Sequence, residues 1–555
     1  MSVKGAKDKV LHGKFIEAAK EVKESVAHQM ERSIGLAGVI IISLSAMLGS
    51  GLFVLPSLAG EMMGPGIWLA YILAAMVVLP GALSKSELSS AMPTSGGSYV
   101  FIERTFGPLL GTIAGLGLWA SFLLKAAFAL IGFSAYLEII SYALDTDINV
   151  QSLALGILVL IVIINILGIK KIKAFQAPIV GLSILMLIGL CIAALFREDV
   201  DLARPISNGA FGGGLLGLAE TAAFVFVAYA GVTKVAAIAG EVKEPGQNLP
   251  NGMLISLTIA TVLYAGVAYM LMATLPGEWW IGTDGSAIEN PIYVFAKLVG
   301  GSTVAFVAAI LAVLTMISMA LAGVLAASRY LFGMGRDNLL PQLFEEVNAT
   351  YETPHWPIIA TGIMMAFAII WMDVSDVAKL ASGFQIMIFI VVNACVIILR
   401  KSHLNHEWYK PTYRSPLYPF TQLFGIFAGL ALVMVMGEKA YIGAAFAIAF
   451  GFILFYSYGK QHAHPRLTPF ITFTEMMLNP SKVEHERRVA AFHAADIGLK
   501  NHLTLREFQT AMAALGFPMD YEENRVIFHQ LDLNQIGYIE IDDFIEQFEG
   551  EIRDN

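Results

Sequence analysis

Twelve apolar runs long enough to cross a bilayer follow one another between residues 36 and 459, and nothing else in the chain restricts its fold so severely. They lie at 36–60, 66–90, 109–142, 151–169, 175–196, 214–240, 250–274, 303–333, 357–373, 376–399, 417–436 and 440–459. Hydrocarbon offers no partner to a backbone N–H or C=O, so runs of this length must be helices that satisfy their own backbone. Composition agrees: 57% of residues are hydrophobic and 14% charged, where soluble domains carry about 25% charge. The third run is too long for one perpendicular crossing and should tilt or project beyond the lipid. Cys191 and Cys395 are the only cysteines and sit inside apolar runs, which excludes a disulfide framework or a cysteine metal site.

Lysine and arginine placement sets the expected orientation. With the N-terminus inside, inside segments hold Lys85, Arg104, Lys170, Lys171, Lys173, Lys243, Arg329, Arg336, Arg400 and Lys401, while outside loops hold Arg197, Arg204 and Lys439. Both termini are therefore expected on the cytoplasmic side of a plasma membrane, or of the inner membrane in a bacterium. Residues 1–33 are polar and basic, without the pattern of a cleavable signal, and carry a candidate interfacial stripe of Val10, Leu11, Phe15, Ile16, Ala19 and Val22. Four segments result: a basic N-terminal segment (1–33), a twelve-helix membrane domain (34–460), a Pro-containing linker (461–480) and a charge-rich soluble module (481–555).

Two of the apolar runs are interrupted. Gly49-Ser50-Gly51 falls in the middle of the first, and Ala230-Gly231 in the middle of the sixth. Unwound backbone at bilayer depth survives only where protein buries it or a cavity solvates it. Paired interruptions in corresponding halves point to a binding site between inverted repeats. The alternative reading, that small residues merely permit close helix packing, explains one break as well as it explains none of the pairing. Amides opened at Gly49, Ser50 and Gly51 lie at the positive end of a half-helix and suit a carboxylate. Carbonyls freed near Ala46, Met47, Phe226, Val227 and Ala230 suit an ammonium group. A zwitterionic amino acid fits both.

The same residues carry a resemblance. Gly49-Ser50-Gly51-Leu52-Phe53-Val54-Leu55-Pro56 resembles the GSGIF-x-x-P signature of the amino acid–polyamine–organocation superfamily. Ser95-Gly96-Gly97-Ser98-Tyr99-Val100 with Phe106-Gly107-Pro108, Phe226-Val227-Ala228-Tyr229-Ala230-Gly231, Gly240-Glu241-Val242-Lys243-Glu244-Pro245, and Ser328-Arg329-Tyr330 with Gly335-Arg336-Asp337 follow in order. The resemblance implies an all-α membrane protein of two inverted five-helix repeats plus two helices, with helices 1 and 6 broken, that moves amino acids by alternating access. It places side-chain selectivity on Phe226, Val227 and Thr233, with Phe226 and Tyr229 as aromatic gates. No carboxylate lies between Glu220 and Glu241, so an uncharged amino acid is expected rather than a cationic one.

Three residues are candidates for ion coupling. Lys125 sits in the middle of the third run, where a charge is costly and marks function by default; a structural lysine bonded to helix-end carbonyls or to Glu220 is the alternative. Ser183 occupies the place where proton-coupled members of the superfamily carry a lysine. Ser318 is a candidate sodium ligand beside the first-helix carbonyls. Lys234 follows the second break, lining a vestibule or snorkelling. Symport with H+ or Na+, and exchange, are all compatible.

Beyond residue 480 two stretches have EF-hand spacing. The second, Asp532 to Asp543, offers Asp532, Asn534, the Tyr538 carbonyl, Glu540 and Asp543, with Gly537 at the sixth position, but Ile536 removes one ligand and Asp543 replaces a bidentate glutamate. Calcium or magnesium should bind there weakly if at all. The first, Asp496 to Glu507, should be metal-free because Gly498, Lys500 and Asn501 stand where ligands and the turn glycine belong. Helices are expected at 482–495, 504–515, 520–531 and 541–549, around Phe492, Phe508, Phe528, Phe544 and Phe548. No required cofactor, nucleic-acid partner or catalytic constellation is legible. A channel would need a repeated filter, which is absent; a calcium-sensing membrane protein acting through the tail is the competing reading of another class.

Overall fold

A computed structural model of the chain describes residues 34–93, 96–143, 145, 149–168, 172–207, 209–282, 285, 287–348, 350–351, 353–402, 409–463, 468–478, 480–497, 500–515, 521–532 and 536–550. The N-terminal stripe, Ser95, Gly498 and Asn534 therefore lie outside the described residues. The chain divides into two compact units, residues 1–468 and 469–555.

Among its described residues the first unit is built of helices, with two isolated β-bridges, Ile34 to Val242 and Ile281 to Ala287. In chain order it contains α1 (Leu36–Met47), α2 (Ser50–Phe53), α3 (Leu55–Met63), α4 (Ile67–Ala91), α5 (Ser98–Phe106), α6 (Pro108–Ala143), α7 (Val150–Leu167), α8 (Ile172–Leu195) and α9 (Gly214–Tyr229). A 3₁₀ stretch, Ala230–Glu241, leads to α10 (Pro245–Thr274), α11 (Pro291–Arg336), α12 (His355–Trp371), α13 (Val374–Lys401), α14 (Phe420–Val435) and α15 (Glu438–Leu454). Prolines open α6, α10 and α11, where a missing N–H costs nothing. Among the described residues nine helices are long and apolar enough to cross a membrane, and three shorter apolar ones, α1, α12 and α14, complete the positions of the twelve sequence runs.

Enclosure separates the helices. The apolar window of α6 is 83% buried, against 22% for α7 and 11% for the segment around α15. α6 is therefore an axis of the unit, with α11 and α13 packed along it, while α7 and α15 turn apolar side chains such as Leu160, Phe446 and Phe450 outward. Exposed apolar faces of this extent are costly in water and suit lipid. At 36 residues, α6 is about 54 Å long at 1.5 Å per residue, well beyond a hydrocarbon core of about 30 Å.

One end of α4 carries a buried ion pair. Glu87 is fully enclosed and receives Arg400 Nε (2.8 Å) and Nη2 (2.6 Å), the Tyr409 hydroxyl (2.7 Å), and the Ser415 N–H (2.8 Å) and hydroxyl (2.9 Å). Arg400 also lies over the Tyr418 ring, 4.3 Å from its centroid. Gln422 donates to the Ser415 hydroxyl at 2.6 Å and to Ser84 at 3.3 Å. The chain between α13 and α14 is thus strapped to α4 by one carboxylate.

The second unit has its own core of Phe492, Phe508, Phe528 and Phe544 with Leu503, Leu531 and Ile539. It comprises α16 (Pro469–Leu478), α17 (Pro480–Ala495), α18 (Leu505–Ala514), α19 (Tyr521–Leu531) and α20 (Ile541–Gly550), with strands β1 (His502–Leu503) and β2 (Ile539–Glu540). The strands pair antiparallel, His502 opposite Glu540 and Leu503 opposite Ile539. A capping box of Thr504 and Glu507 starts α18. The stretch expected to be a linker is partly helical, since α16 falls inside it; Pro469 at a first helical turn initiates rather than breaks that helix. The Phe548 side chain lies outside the description.

Candidate functional site

The first break lies one residue earlier than the sequence suggests. α1 ends as the Leu48 N–H bonds the Leu44 carbonyl at 2.8 Å; Leu48 is extended (φ −66°, ψ 126°), and Ser50 and Gly51 already belong to α2. The reason is the next turn of bonds: Leu52 and Phe53 N–H groups both reach the Gly49 carbonyl, at 3.0 and 3.1 Å. Among the described residues, the amides of Gly49, Ser50 and Gly51 and the carbonyls of Ser45, Ala46 and Met47 have no partner. Other freed carbonyls are taken by tyrosines. Tyr71 donates to the Gly51 carbonyl at 3.0 Å, and Tyr136 to that of Phe53 at 2.5 Å.

The second break is a change of helix type rather than an unwinding. α9 stops at Tyr229 and the chain continues as 3₁₀ helix from Ala230 to Glu241, which shifts its carbonyls off the α-helical ladder. Ser382 of α13 sits beside the end of α9, accepting from the Val227 N–H at 2.9 Å and donating to the Phe224 carbonyl at 2.8 Å. The two breaks touch. A Cβ built on Gly231 would overlap the Ala46 carbonyl, and one on Gly51 would lie 2.8 Å from the Ala228 Cβ. Only glycine allows that approach of backbone to backbone. Ala46, Met47, Gly49, Ser50, Gly51, Phe226, Val227, Ala230, Gly231 and Thr233 are all buried in this region.

Phe226 and Tyr229 are both packed. The Phe226 ring meets Phe389 at 5.5 Å, and Tyr229 meets Tyr264 at 5.2 Å while donating to the Tyr71 carbonyl at 3.0 Å. Three lysines surround the same region. Lys125 Nζ donates to the Ala228 carbonyl at 3.2 Å, so its partner is the end of α9 and not Glu220. Lys85 is 1% exposed, donates to the Thr233 hydroxyl at 2.9 Å and lies 4.3 Å from the Phe389 centroid. Lys234 is buried; with Lys125, Ala46, Phe122, Met319 and Gly323 it lines a small cavity, with room for about one water molecule.

Lys85, counted among the inside cations, lies within the run 66–90 and is an interior residue. The usable signal is its place inside that membrane run, where a lysine calls for a partner. Tyr71, Tyr136 and Ser382 carried no such signal, because only the fold brings them to the broken backbone.

The other two coupling candidates lie on α8 and α11. Ser183 pairs with Thr315 hydroxyl to hydroxyl at 2.7 Å. Gln176 donates to the Ser318 carbonyl at 3.1 Å, while the buried Ser318 hydroxyl has no partner among the described residues. Its neighbour Met319 packs against Gly49, and Ser50 points its hydroxyl at the Met319 sulfur, 3.9 Å away.

In the second unit the first loop holds a cation of its own. Lys500 Nζ bridges both Glu507 carboxylate oxygens at 3.0 and 3.1 Å, while Asp496 receives the Lys500 and Asn501 N–H groups at 3.0 and 2.7 Å. The Thr504 N–H, aided by Lys500 and the Ile497 N–H, pulls the Glu507 carboxyl down to about 2. In the second loop Asp532 receives the Ile536 and Gly537 N–H groups at 2.9 and 2.8 Å. Among the described residues no three acidic, histidine or cysteine side chains gather as a metal cluster, Asp532, Glu540 and Asp543 included.

Comparison with known proteins adds to this geometry. Residues 34–458 match the family described as amino acid permease. The chain is similar to the branched-chain amino acid permease BcaP of Bacillus subtilis (strain 168), 26% identical over 78% of this chain and 94% of that protein. It is similar to the methylthioribose transporter of the same organism, 26% identical over 79% and 96% of the two chains. It also resembles the vacuolar cationic amino acid transporter 4 of Arabidopsis thaliana, 24% identical over 70% and 66%.

Proposed function

The chain belongs to the amino acid permease family, and from that premise we propose that it is a secondary active transporter, not an enzyme, that carries an uncharged amino acid by alternating access. The observation that carries the reading is the meeting of the two breaks. Unpartnered amides of Gly49, Ser50 and Gly51 and unpartnered carbonyls of Ala46 and Met47 lie where Gly231 and Ala228 close upon them. Parting those helices presents donors to a carboxylate and acceptors to an ammonium. Phe226, Val227 and Thr233 border that space and set side-chain preference. The substrates named for its relatives range from branched-chain and cationic amino acids to methylthioribose; methylthioribose has no carboxylate or ammonium, so the choice of an amino acid here rests on the family and on the paired backbone donors and acceptors.

Transport is coupled to a cation, with the proton favoured. Lys125 hydrogen-bonds the end of α9 itself, so gain or loss of its proton acts on the gate. Sodium symport has one observation of its own, the buried unpartnered hydroxyl of Ser318 next to the residue that packs on Gly49; exchange without a driving ion is the third mode. The protein lies in the plasma membrane, or the inner membrane of a bacterium, with both termini cytoplasmic. Its tail is an EF-hand-like pair, a reading supported by the two loops joined through antiparallel strands, and its second loop takes calcium or magnesium weakly.

Uptake into proteoliposomes tests the proposal. Saturable accumulation of a neutral amino acid, driven by a pH gradient and lost in Lys125→Ala while exchange persists, is the expected result. Accumulation in Lys125→Ala with unchanged pH dependence removes the lysine from coupling and moves the question to sodium titration. Failure of all twenty amino acids to bind or move refutes the substrate class.

A further inference from the structure

The cavity at the second break has two lysine side chains in its wall. Lys125 comes from α6 and Lys234 from the 3₁₀ stretch, and both are buried beside a space otherwise lined by Ala46, Phe122, Ala126, Met319 and Gly323. Lys85, bonded to Thr233, brings a third buried lysine to the neighbouring residue. Among the described side chains none of the three stands in an ion pair. Lys125 has a carbonyl for one of its protons, which leaves further N–H bonds of the ammonium to be satisfied. Two like charges facing one low-dielectric space repel each other strongly, and a negative charge between them turns that repulsion into attraction. Apart from the Ala46 backbone the wall is apolar, so it selects chiefly by charge and size.

We infer that this cavity binds one small anionic group, held between Lys125 and Lys234. The group is either a free halide-sized anion in the closed cavity or, once the helices part, a carboxylate carried on the side chain of an acidic substrate. A bound anion also fixes the 3₁₀ stretch to α6, because Lys234 and Lys125 belong to those two elements. It therefore favours the closed arrangement in which Gly231 rests on Ala46. The inference stands apart from the uncharged-substrate reading: an anion can occupy the cavity whether or not a neutral amino acid is carried.

The test uses the purified full chain in detergent, exchanged between sodium chloride, sodium bromide and sodium gluconate at constant ionic strength, with thermal unfolding as the readout. Chloride and bromide should stabilise the protein in a saturable manner relative to gluconate. Lys125→Met and Lys234→Met should each weaken that effect about a hundredfold or more, as loss of one partner from a buried charge pair does, and Lys234→Arg should retain most of it. Aspartate and glutamate, titrated in gluconate, separate the sources: stabilisation by either, lost in the same variants, assigns the group to substrate. If a methionine variant does not fold, the halide dependence of the wild type and of Lys234→Arg still decides the matter. Absence of any response to halides, aspartate or glutamate in the wild type overturns the inference, as does a response that both methionine variants keep. Binding of neutral amino acids, measured in gluconate on the same samples, reports separately on the carrier site.

Discussion

Replacing Glu87 isolates an ion pair on which a whole connection depends. Its carboxylate is the acceptor for Arg400, Tyr409 and Ser415 at once. Glu87→Leu takes the Glu87 carboxylate away from the Arg400 guanidinium, 16% exposed, and breaking one side of a buried pair costs roughly 3–5 kcal/mol. The residual exposure and the Tyr418 ring place this case at the lower end, about 3 kcal/mol. Glu87→Leu also strands the Ser415 N–H, whose loss of a partner adds about 1–3 kcal/mol. Arg400→Met alone should be costly for the mirror reason. In the double variant no charge is left uncompensated, so its destabilisation should fall short of the sum by roughly 2–3 kcal/mol. Reversible unfolding in detergent–denaturant mixtures measures all three. If Arg400→Met costs as much in the Glu87→Leu background as in the wild type, the pair is not coupled and the strap argument fails. Proteolysis between residues 402 and 420 should accelerate in the single variants, because the carboxylate is what ties that connection to α4.

Three further outcomes are expected. Gly51→Leu drives a side chain into Ala228 and should weaken amino acid binding about tenfold or more, since overpacking of this kind costs roughly 1–3 kcal/mol; Gly266→Ala, whose Cβ meets open space, should bind normally, and equal binding by both variants would remove Gly51 from the site. Glu507 sits at about 2 in the folded tail, so its contribution to stability is complete above its ordinary range near 4.5 and disappears as pH falls toward 2. The stability gap between wild type and Glu507→Gln, followed by circular dichroism on residues 469–555, should accordingly shrink as pH is lowered from 5 to 2.5, and a constant gap would deny the bonds their role. Calorimetry on the same segment should find calcium affinity no tighter than about 10⁻⁴ M, by count of the remaining oxygen ligands; sub-micromolar binding would make the tail a calcium sensor.

Hydrophobic run length made the membrane helices readable, because lipid imposes one rule on every span. Glycines marked the breaks because two interruptions in corresponding halves are not explained by close helix packing alone. What the breaks become was not readable. The shift of the first by one residue depends on Leu52 and Phe53 sharing the Gly49 carbonyl, and the 3₁₀ form of the second depends on packing by Ser382 and Lys85 from helices far away in sequence. Lys85 shows the limit most plainly. Counting it among the inside cations gives a side of the membrane, yet the fold buries it, since a charge tally knows position along the chain and not which way α4 faces. In the tail, ligand spacing argues against a metal in the first loop but does not say that Lys500 bridges the Glu507 carboxylate.

That lysine has a consequence for how the tail can be controlled. A dissociable ion lets a loop report its surroundings, because occupancy follows concentration. The ammonium of Lys500 is tethered by its own backbone beside the Glu507 carboxylate, so a metal entering the Asp496–Glu507 loop would have to displace it. The expected result is a loop that responds less to calcium than its neighbour across the β1–β2 ladder. Any responsiveness in the pair is then confined to the half that contains Asp532.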